Sequence, residues 1–161
     1  MTHAKAAKSR TTLARANRPT KKTDPVTAYA LAVSNRKIIA GPHVRDACKR
    51  HLQDLEHGPE RGLFFDLDEA KRAIGFFADV LCLNGGDFEG VPYVLLDWQA
   101  FIIGSLFGWK VSDGTRRFRQ AYVETGKGSG KSPLAAGIGL YGMVADDESR
   151  AEVYAAATKK D

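Results

Sequence analysis

The sequence predicts an α/β fold in which an all-α N-terminal layer is followed by the start of a parallel sheet. Apolar residues recur at helical spacing between residues 24 and 81. After residue 90 the pattern changes to short runs of β-branched and aromatic residues. A glycine-rich loop and a helical pattern separate two of these runs. The order strand, loop, helix, strand is how a parallel α/β sheet begins.

Composition places the chain among ordinary globular proteins. Its 161 residues are enough for a domain with a core, and 43% are hydrophobic while 27% are charged. No apolar run approaches the roughly 20 residues that span a bilayer, and the N-terminus lacks the apolar segment of a secretory signal. We therefore expect no membrane association.

Positive charge is concentrated in the first residues. Residues 1–22 carry seven lysines and arginines and no acid, which leaves 17 of the 24 basic residues against all 19 acidic ones in the rest of the chain. Such a segment has too little apolar surface to fold alone, so residues 1–23 are predicted to be a basic disordered tail. Two interpretations stay open: contact with a nucleic-acid backbone, or a solvated leader.

Residues 24–90 are predicted to form the helical N-terminal region. The first helix begins at Pro25, because Asp24 is a good N-cap and proline suits the first helical position. The second helix ends at Gly58, a plausible C-terminal stop. Its predicted apolar stripe contains Val44, Ala47, Cys48, Leu52 and Leu55.

The third helix opens at Asp66, with Glu69 three residues later as in a capping box. Ile74, Phe77, Val80 and Leu81 give it an apolar face, and Asn84-Gly85-Gly86 ends it.

The two cysteines and three of the four histidines suggest a metal site, but their spacing does not favour one. Cys48 and Cys82 lie far apart without C-x-x-C spacing, so we interpret both as buried small apolar residues, with a disulfide or metal site as the alternative. His43, His51 and His57 do not converge on a metal at helical spacing, and we expect them at the surface or partly packed.

Residues 91–161 are predicted to contain the sheet. A helix capped by Asp97 carries Trp98, Ile102, Leu106 and Phe107. A strand over residues 118–125, a helix from about Lys131 to Val144 and a buried strand over residues 151–158 follow.

The loop between the predicted strand and helix has the features of a phosphate-binding loop, "TGKGSGKS", at residues 125–132. Glycines let backbone amides converge on an anion, and the start of a helix adds its dipole and free amides. The candidate nucleotide-binding residues are Gly126, Gly128, Ser129, Gly130, Lys131 and Ser132. Lys131 would reach phosphate oxygens, and the Ser132 hydroxyl would bind Mg²⁺. The alternative is a mobile glycine turn with an incidental lysine.

Two residues depart from the usual G-x-x-x-x-G-K-[ST] pattern. Thr125 stands where the first glycine is expected, and Lys127 adds a second cation inside the loop. Lys127 could stabilise charge on the γ-phosphate in the transition state, as an arginine finger does elsewhere, or it could face solvent.

The sequence resembles the large subunit of tailed-bacteriophage terminases, the motors that package DNA into capsids. The resemblance is carried by "DPVTAYALAV", "ACKRHLQDLE", "LDWQAFIIGSLFGWK", "RRFRQAYVETGKGSGKS", "PLAAGIGLYGMVAD" and "EVYAAATKKD". It implies a P-loop NTPase sheet, incomplete in this chain, with ATP and Mg²⁺ as ligands.

The resemblance also assigns roles to single residues. The family has a variant phosphate loop with a basic residue, usually arginine, at the position of Lys127, so Lys127 and Lys131 become the catalytic candidates and Thr125 is no defect. Lysine lacks the planar fork of arginine. The family's adenine-recognising glutamine, which follows an aromatic residue, matches Gln99 after Trp98.

An acidic catalytic motif is not identified within these residues. "GMVADDE" (142–148) imitates one, but it ends the helix after the loop, so we interpret it as a solvated turn. The resemblance implies that the acidic motif, a coupling motif and a nuclease domain lie beyond residue 161.

The resulting hypothesis is the ATPase portion of a terminase large subunit in the cytoplasm of a bacterial host. Double-stranded DNA, a small terminase subunit, the capsid portal and further copies in a ring are the implied partners. The alternatives are a helicase-type, nucleic-acid-dependent ATPase and a non-catalytic product that binds DNA through its tail. At the chain end, Thr158, Lys159 and Lys160 either contact phosphate or form a frayed terminus.

Overall fold

The structure is a computed structural model that describes residues 24–147 and 149–156. The basic tail and the Thr158–Lys160 segment lie outside these residues, so the predictions made for them stay predictions. The helices are α1 (Pro25–Ser34), α2 (Pro42–His57), α3 (Leu67–Val80), α4 (Asp97–Gly108) and α5 (Lys131–Val144). Two short strands are β1 (Leu63–Phe65) and β2 (Trp109–Val111).

The predicted starts of three helices are confirmed. The Asp24 side chain accepts a hydrogen bond from the Thr27 amide at 2.7 Å, and Pro25 is the first residue of α1. The Asp66 side chain caps α3 by accepting from the amides of Asp68 and Glu69. Helix α5 spans the predicted Lys131–Val144.

Helix α4 packs against both halves of the helical layer. Its Phe101 belongs to a core cluster with α1 and α2 that also contains Val26, Tyr29, Ala30, Val33 and Cys48. Its Ile103 and Phe107 belong to a second cluster with α3 and α5 that contains Ala73, Phe76, Phe77, Tyr93, Leu134 and Tyr141. A side chain at Gly104 would overlap Val26, so the absence of one allows α4 to approach α1 closely. Helix α4 is therefore the element that links the two clusters.

The N-terminal layer is not all-α, which corrects the prediction. Strand β1 lies between α2 and α3 and pairs antiparallel with β2, with Phe65 opposite Trp109. The Asp66 amide extends this contact by donating to the Gly108 carbonyl at 2.7 Å. Because α4 ends beside β1, the chain that leaves α4 is already placed to pair with it.

Neither of the predicted parallel strands is formed in the described part of the chain. Residues 120–126 and 151–156 carry no strand, and the sheet of the described residues has two strands, β1 and β2. A strand is stabilised by ladder hydrogen bonds to a neighbour, and neither segment has such a partner among residues 24–147 and 149–156. The architecture is thus mainly helical with a small antiparallel sheet.

The buried face of α2 differs from the predicted stripe. Val44 and Leu55 are exposed, while Cys48, His51 and Asp54 are buried. Residues three apart lie on one face of a helix. His51 and Asp54 are polar, so the pattern of apolar residues did not predict this face. The expectation that His51 is at the surface or only partly packed is wrong.

His51 is buried because both ring nitrogens have partners. Its Nδ1 accepts a hydrogen bond from Trp109 Nε1 at 3.0 Å, and its Nε2 lies 3.0 Å from Thr27 Oγ1. With Nδ1 as the acceptor, the neutral ring carries its proton on Nε2 and donates it to Thr27. The histidine therefore joins α1, α2 and β2 in its neutral form.

Lowering the pH from 6.5 to about 4 is expected to reduce the free energy of unfolding. Burial lowers the pKa of His51 from 6.5 to about 4, against the opposing effects of Asp24 and Asp54. In this window the unfolded chain binds a proton that the folded chain does not, so stability is lost as the pH falls. The full effect is up to about 3 kcal/mol, measured by urea unfolding at a series of pH values.

The variant His51→Gln should flatten this pH dependence, because glutamine can still donate and accept but does not titrate. The matched control is His57→Gln, since His57 is exposed at the end of the same helix. An unchanged slope in His51→Gln would contradict the assignment.

The two cysteines differ, which corrects half of the prediction. Cys48 is fully buried, and burial raises the pKa of its thiol to about 11. Cys82 is exposed, and both thiols are free. Within the described ranges, no helix is long and apolar enough to cross a membrane.

Candidate functional site

The glycine-rich loop runs directly into the first turn of α5. Gly128 and Gly130 have positive φ angles of 81° and 79°, a conformation that other residues adopt at a cost. Gly130 is the N-cap of α5 and supplies no side-chain cap. The positive end of the helix dipole and the open amides of the first turn thus lie at the end of the loop.

The backbone amides of this loop are unpaired. From Gly126 to Ser132, none donates a hydrogen bond to a carbonyl or side chain of the described residues; the first amide that does is Leu134, to the Gly130 carbonyl at 3.1 Å. Free amides along a loop with left-handed glycines are donors that remain available to an anion.

The two candidate lysines lie differently on this loop. The Lys131 amine turns back across the loop and donates to the Thr125 carbonyl at 2.8 Å. Lys127 is exposed at the turn, and Ser132 is exposed in the first turn of α5. Lys131 is thus held over the loop, whereas Lys127 extends from its tip.

Side-chain hydroxyls bond across the same loop. Thr125 Oγ1 makes a short hydrogen bond with Ser129 Oγ, and Ser129 Oγ donates to the Gly126 carbonyl at 2.7 Å. These bonds close the five-residue segment 125–129, which contains Lys127.

Gln99 lies against the loop from the side of α4. Its Oε1 accepts from the Leu96 amide at 2.9 Å, and its Nε2 lies 3.4 Å from the Tyr93 hydroxyl. A Cβ atom built on Gly130 would be 3.3 Å from Gln99 Nε2. The structure thus brings Gln99 and the loop together, although they are about thirty residues apart in the sequence. Gln99 is 2% exposed.

Trp98 packs against both core clusters, as expected for a supporting residue. Tyr93 was missed by the sequence analysis. Tyr93 lies in the segment before α4, and the sequence suggests a role for it only if Gln99 is already taken as a binding residue.

The chain that leads to the loop is anchored on α2 by a buried carboxylate. The Asp54 side chain, 4% exposed, pairs with Arg117 at 2.5 Å and also with Arg61. Burial acts to raise the pKa of Asp54, but the hydrogen bonds and charges of Arg117 and Arg61 prevail and lower it. Arg117 also stacks over the rings of Trp109 and Phe118. Sequence analysis missed this group of side chains as well.

The "GMVADDE" segment is only partly a solvated turn. The Asp146 carboxylate is 10% exposed and pairs with Arg116 at 2.6 Å, while Asp147 is exposed and pairs with Arg72 at 2.8 Å. Burial raises the pKa of Asp146 despite the nearby Arg116. These pairs hold the end of α5 against α3 and the chain after β2.

A cavity with a volume of about 630 Å³ lies beside the loop rather than in it. It is bounded by α2, α4 and residues 120–125, and of the loop residues only Thr125 lines it. Among the described residues, no group of three or more histidine, cysteine or acidic side chains is arranged to hold a metal ion.

The comparison with protein families finds that this region is similar to an ATPase domain. Residues 97–161, from the start of α4 through the loop and α5 to the chain end, match the family model of that domain. The family is the terminase large subunit, so the resemblance found in the sequence is confirmed for this segment as a terminase-like ATPase. Curated proteins and solved structures gave no match.

Proposed function

We propose that this chain binds ATP with Mg²⁺ at residues 126–132 and is the N-terminal ATPase portion of a phage terminase large subunit that drives DNA packaging into capsids. The observation that carries the proposal is the run of unpaired amides at the start of α5, with the Lys131 amine turned over them. The family match over residues 97–161 supports a terminase-type motor rather than a helicase-type ATPase.

In this proposal the amides of Gly126, Gly128, Ser129 and Gly130 receive phosphate oxygens. Lys131 leaves the Thr125 carbonyl for the β- and γ-phosphates. Mg²⁺ prefers oxygen ligands and few protein groups, which suits the exposed Ser132 hydroxyl together with the phosphates. The bound ion would neutralise phosphate charge.

Lys127 and Gln99 have the remaining roles. The exposed Lys127 is proposed to stabilise charge on the γ-phosphate during hydrolysis. Gln99 is proposed to recognise adenine. Its Nε2 lies beside Gly130 and carries two protons, so one can bond the base while the other stays on the Tyr93 hydroxyl. The Gln99 oxygen keeps a second lone pair besides the bond from Leu96.

The proposed partners follow from the packaging role. They are double-stranded DNA, a small terminase subunit, the capsid portal and further copies of the large subunit in a ring. The proposed location is the cytoplasm of the bacterial host, where DNA is packaged. The P-loop NTPase sheet is likewise part of this proposal.

The variant Lys131→Ala is expected to weaken binding of a fluorescent ATP analogue with Mg²⁺ by about 10- to 100-fold, because a charge-assisted bond to phosphate is lost. Equilibrium fluorescence titration measures this. The matched control is Lys71→Ala, an exposed lysine on α3 that should leave binding unchanged. Equal affinity in Lys131→Ala and the wild type, or no binding by the wild type, would contradict the proposal.

A further inference from the structure

We propose that Thr125 and Ser129 are positioning residues that hold the phosphate loop in its binding shape through a hydroxyl clip. The hydroxyl clip is the bond between Thr125 Oγ1 and Ser129 Oγ together with the bond from Ser129 Oγ to the Gly126 carbonyl. This inference rests on the proposed ATP site and explains why a threonine stands where glycine is usual.

In the hydroxyl clip each of the two hydroxyl groups donates one hydrogen bond. Ser129 donates its single proton to the Gly126 carbonyl at 2.7 Å, so the proton shared with Thr125 comes from the threonine. The clip thus connects the first residue of the loop, Thr125, to its fifth residue, Ser129. A glycine at position 125 could not make the first of these bonds.

The loop has a physical need for such a connection. Gly126, Gly128 and Gly130 alternate along it, and glycine loses more conformational freedom on ordering than any other residue. The clip spans the first two of these glycines. Ordering them before a ligand arrives lowers the entropy cost of binding, which is how preorganisation raises affinity.

The clip is distinct from the contact that Lys131 makes with the same residue. The Lys131 amine uses the backbone carbonyl of Thr125, whereas the clip uses its side chain. When the amine moves to a phosphate, the side-chain bond can persist. The proposal therefore requires the hydroxyl group of Thr125, and a residue without a hydroxyl at this position would not replace it.

The test compares Thr125→Val, Thr125→Ser, Ser129→Ala and the Thr125→Val/Ser129→Ala double variant. Valine keeps the shape of threonine without the hydroxyl, and serine keeps the hydroxyl. One readout is the Kd for fluorescent ATP with Mg²⁺. The other, without nucleotide, is the ¹⁵N order parameters of the loop amides in the full chain of 17.5 kDa.

We expect Thr125→Val and Ser129→Ala each to weaken ATP binding by about 3- to 10-fold and to lower the order parameters of Gly126 and Gly128. Thr125→Ser should stay within about 2-fold of the wild type. The double variant should bind no more weakly than Ser129→Ala alone, because the bond that Thr125→Val removes is already lost in Ser129→Ala.

Unchanged loop order in both single variants, failure of Thr125→Ser to restore binding, or multiplied effects in the double variant would overturn the clip. If the wild type binds no ATP while loop order still falls in both variants, the clip is retained and the proposed function is overturned.

Discussion

Replacing Asp54 by asparagine is expected to lower the free energy of unfolding by about 2–4 kcal/mol, because it leaves a guanidinium without its carboxylate in a largely buried place. Arg117, whose side chain is 17% exposed, loses its charged partner while it stays packed on Trp109 and Phe118. Arg61 is 55% exposed, so it regains water and adds little to the loss. Urea unfolding at pH 7 measures the change.

The matched control for this variant is Asp46→Asn on the same helix. Asp46 is exposed, so its loss should change stability by less than about 0.5 kcal/mol. A value for Asp54→Asn as small as that of the control would show that the pairs with Arg117 and Arg61 contribute nothing. The result matters for function because Arg117 precedes the segment that leads to the loop.

The second large effect is expected for Gly137→Ala, which should destabilise the protein by about 1–3 kcal/mol through overpacking. Gly137 lies on the face of α5 that contacts α3. An added methyl group would overlap the Phe77 ring, with Cζ only 2.7 Å away and Leu81 Cδ1 at 3.1 Å. Phe77 is fully buried in the core cluster and cannot move aside cheaply.

Gly142→Ala on the same helix is its control. A Cβ atom there would meet nothing within 4 Å, so the better helix propensity of alanine should raise stability by up to about 1 kcal/mol. The two variants make the same chemical change with opposite expected signs. No loss of stability in Gly137→Ala would contradict the packing of α5 on α3, and a loss in Gly142→Ala would contradict the open space beside Gly142. Thermal and urea unfolding both measure the change in stability of each variant.

Local signals in the sequence predicted the starts of α1, α3 and α5, because a helix start depends on neighbouring residues. The predictions were wrong for the end of α3, which is Val80, and for the N-cap of α4, which is Leu96 rather than Asp97. The caps at Asp24 and Asp66 and the start of α5 after Gly130 need no information from the rest of the chain. The candidate phosphate loop could also be predicted from a short continuous stretch of sequence. The terminase resemblance was also found from sequence, and the family match confirms it for residues 97–161.

The sheet and the buried polar groups could not be predicted in this way, since both depend on distant residues. β1 becomes a strand because α4 delivers Trp109 beside Phe65. His51 and Asp54 are buried because Trp109, Arg61 and Arg117 satisfy them from other parts of the chain. His51 and Asp54 follow Cys48 at intervals of three residues, which weakly indicates that they share its buried face. Polar residues at such positions are usually interpreted as the border of the apolar face.

The contrast between the two thiols gives this chain a natural attachment point for a probe. Only an ionised thiol reacts readily with maleimides, and Cys48 is both inaccessible and hard to ionise. A fluorophore added to the folded protein should therefore couple at Cys82, just after α3, without any engineered cysteine. Distances from that dye to a labelled nucleotide would then report where on the molecule the nucleotide resides.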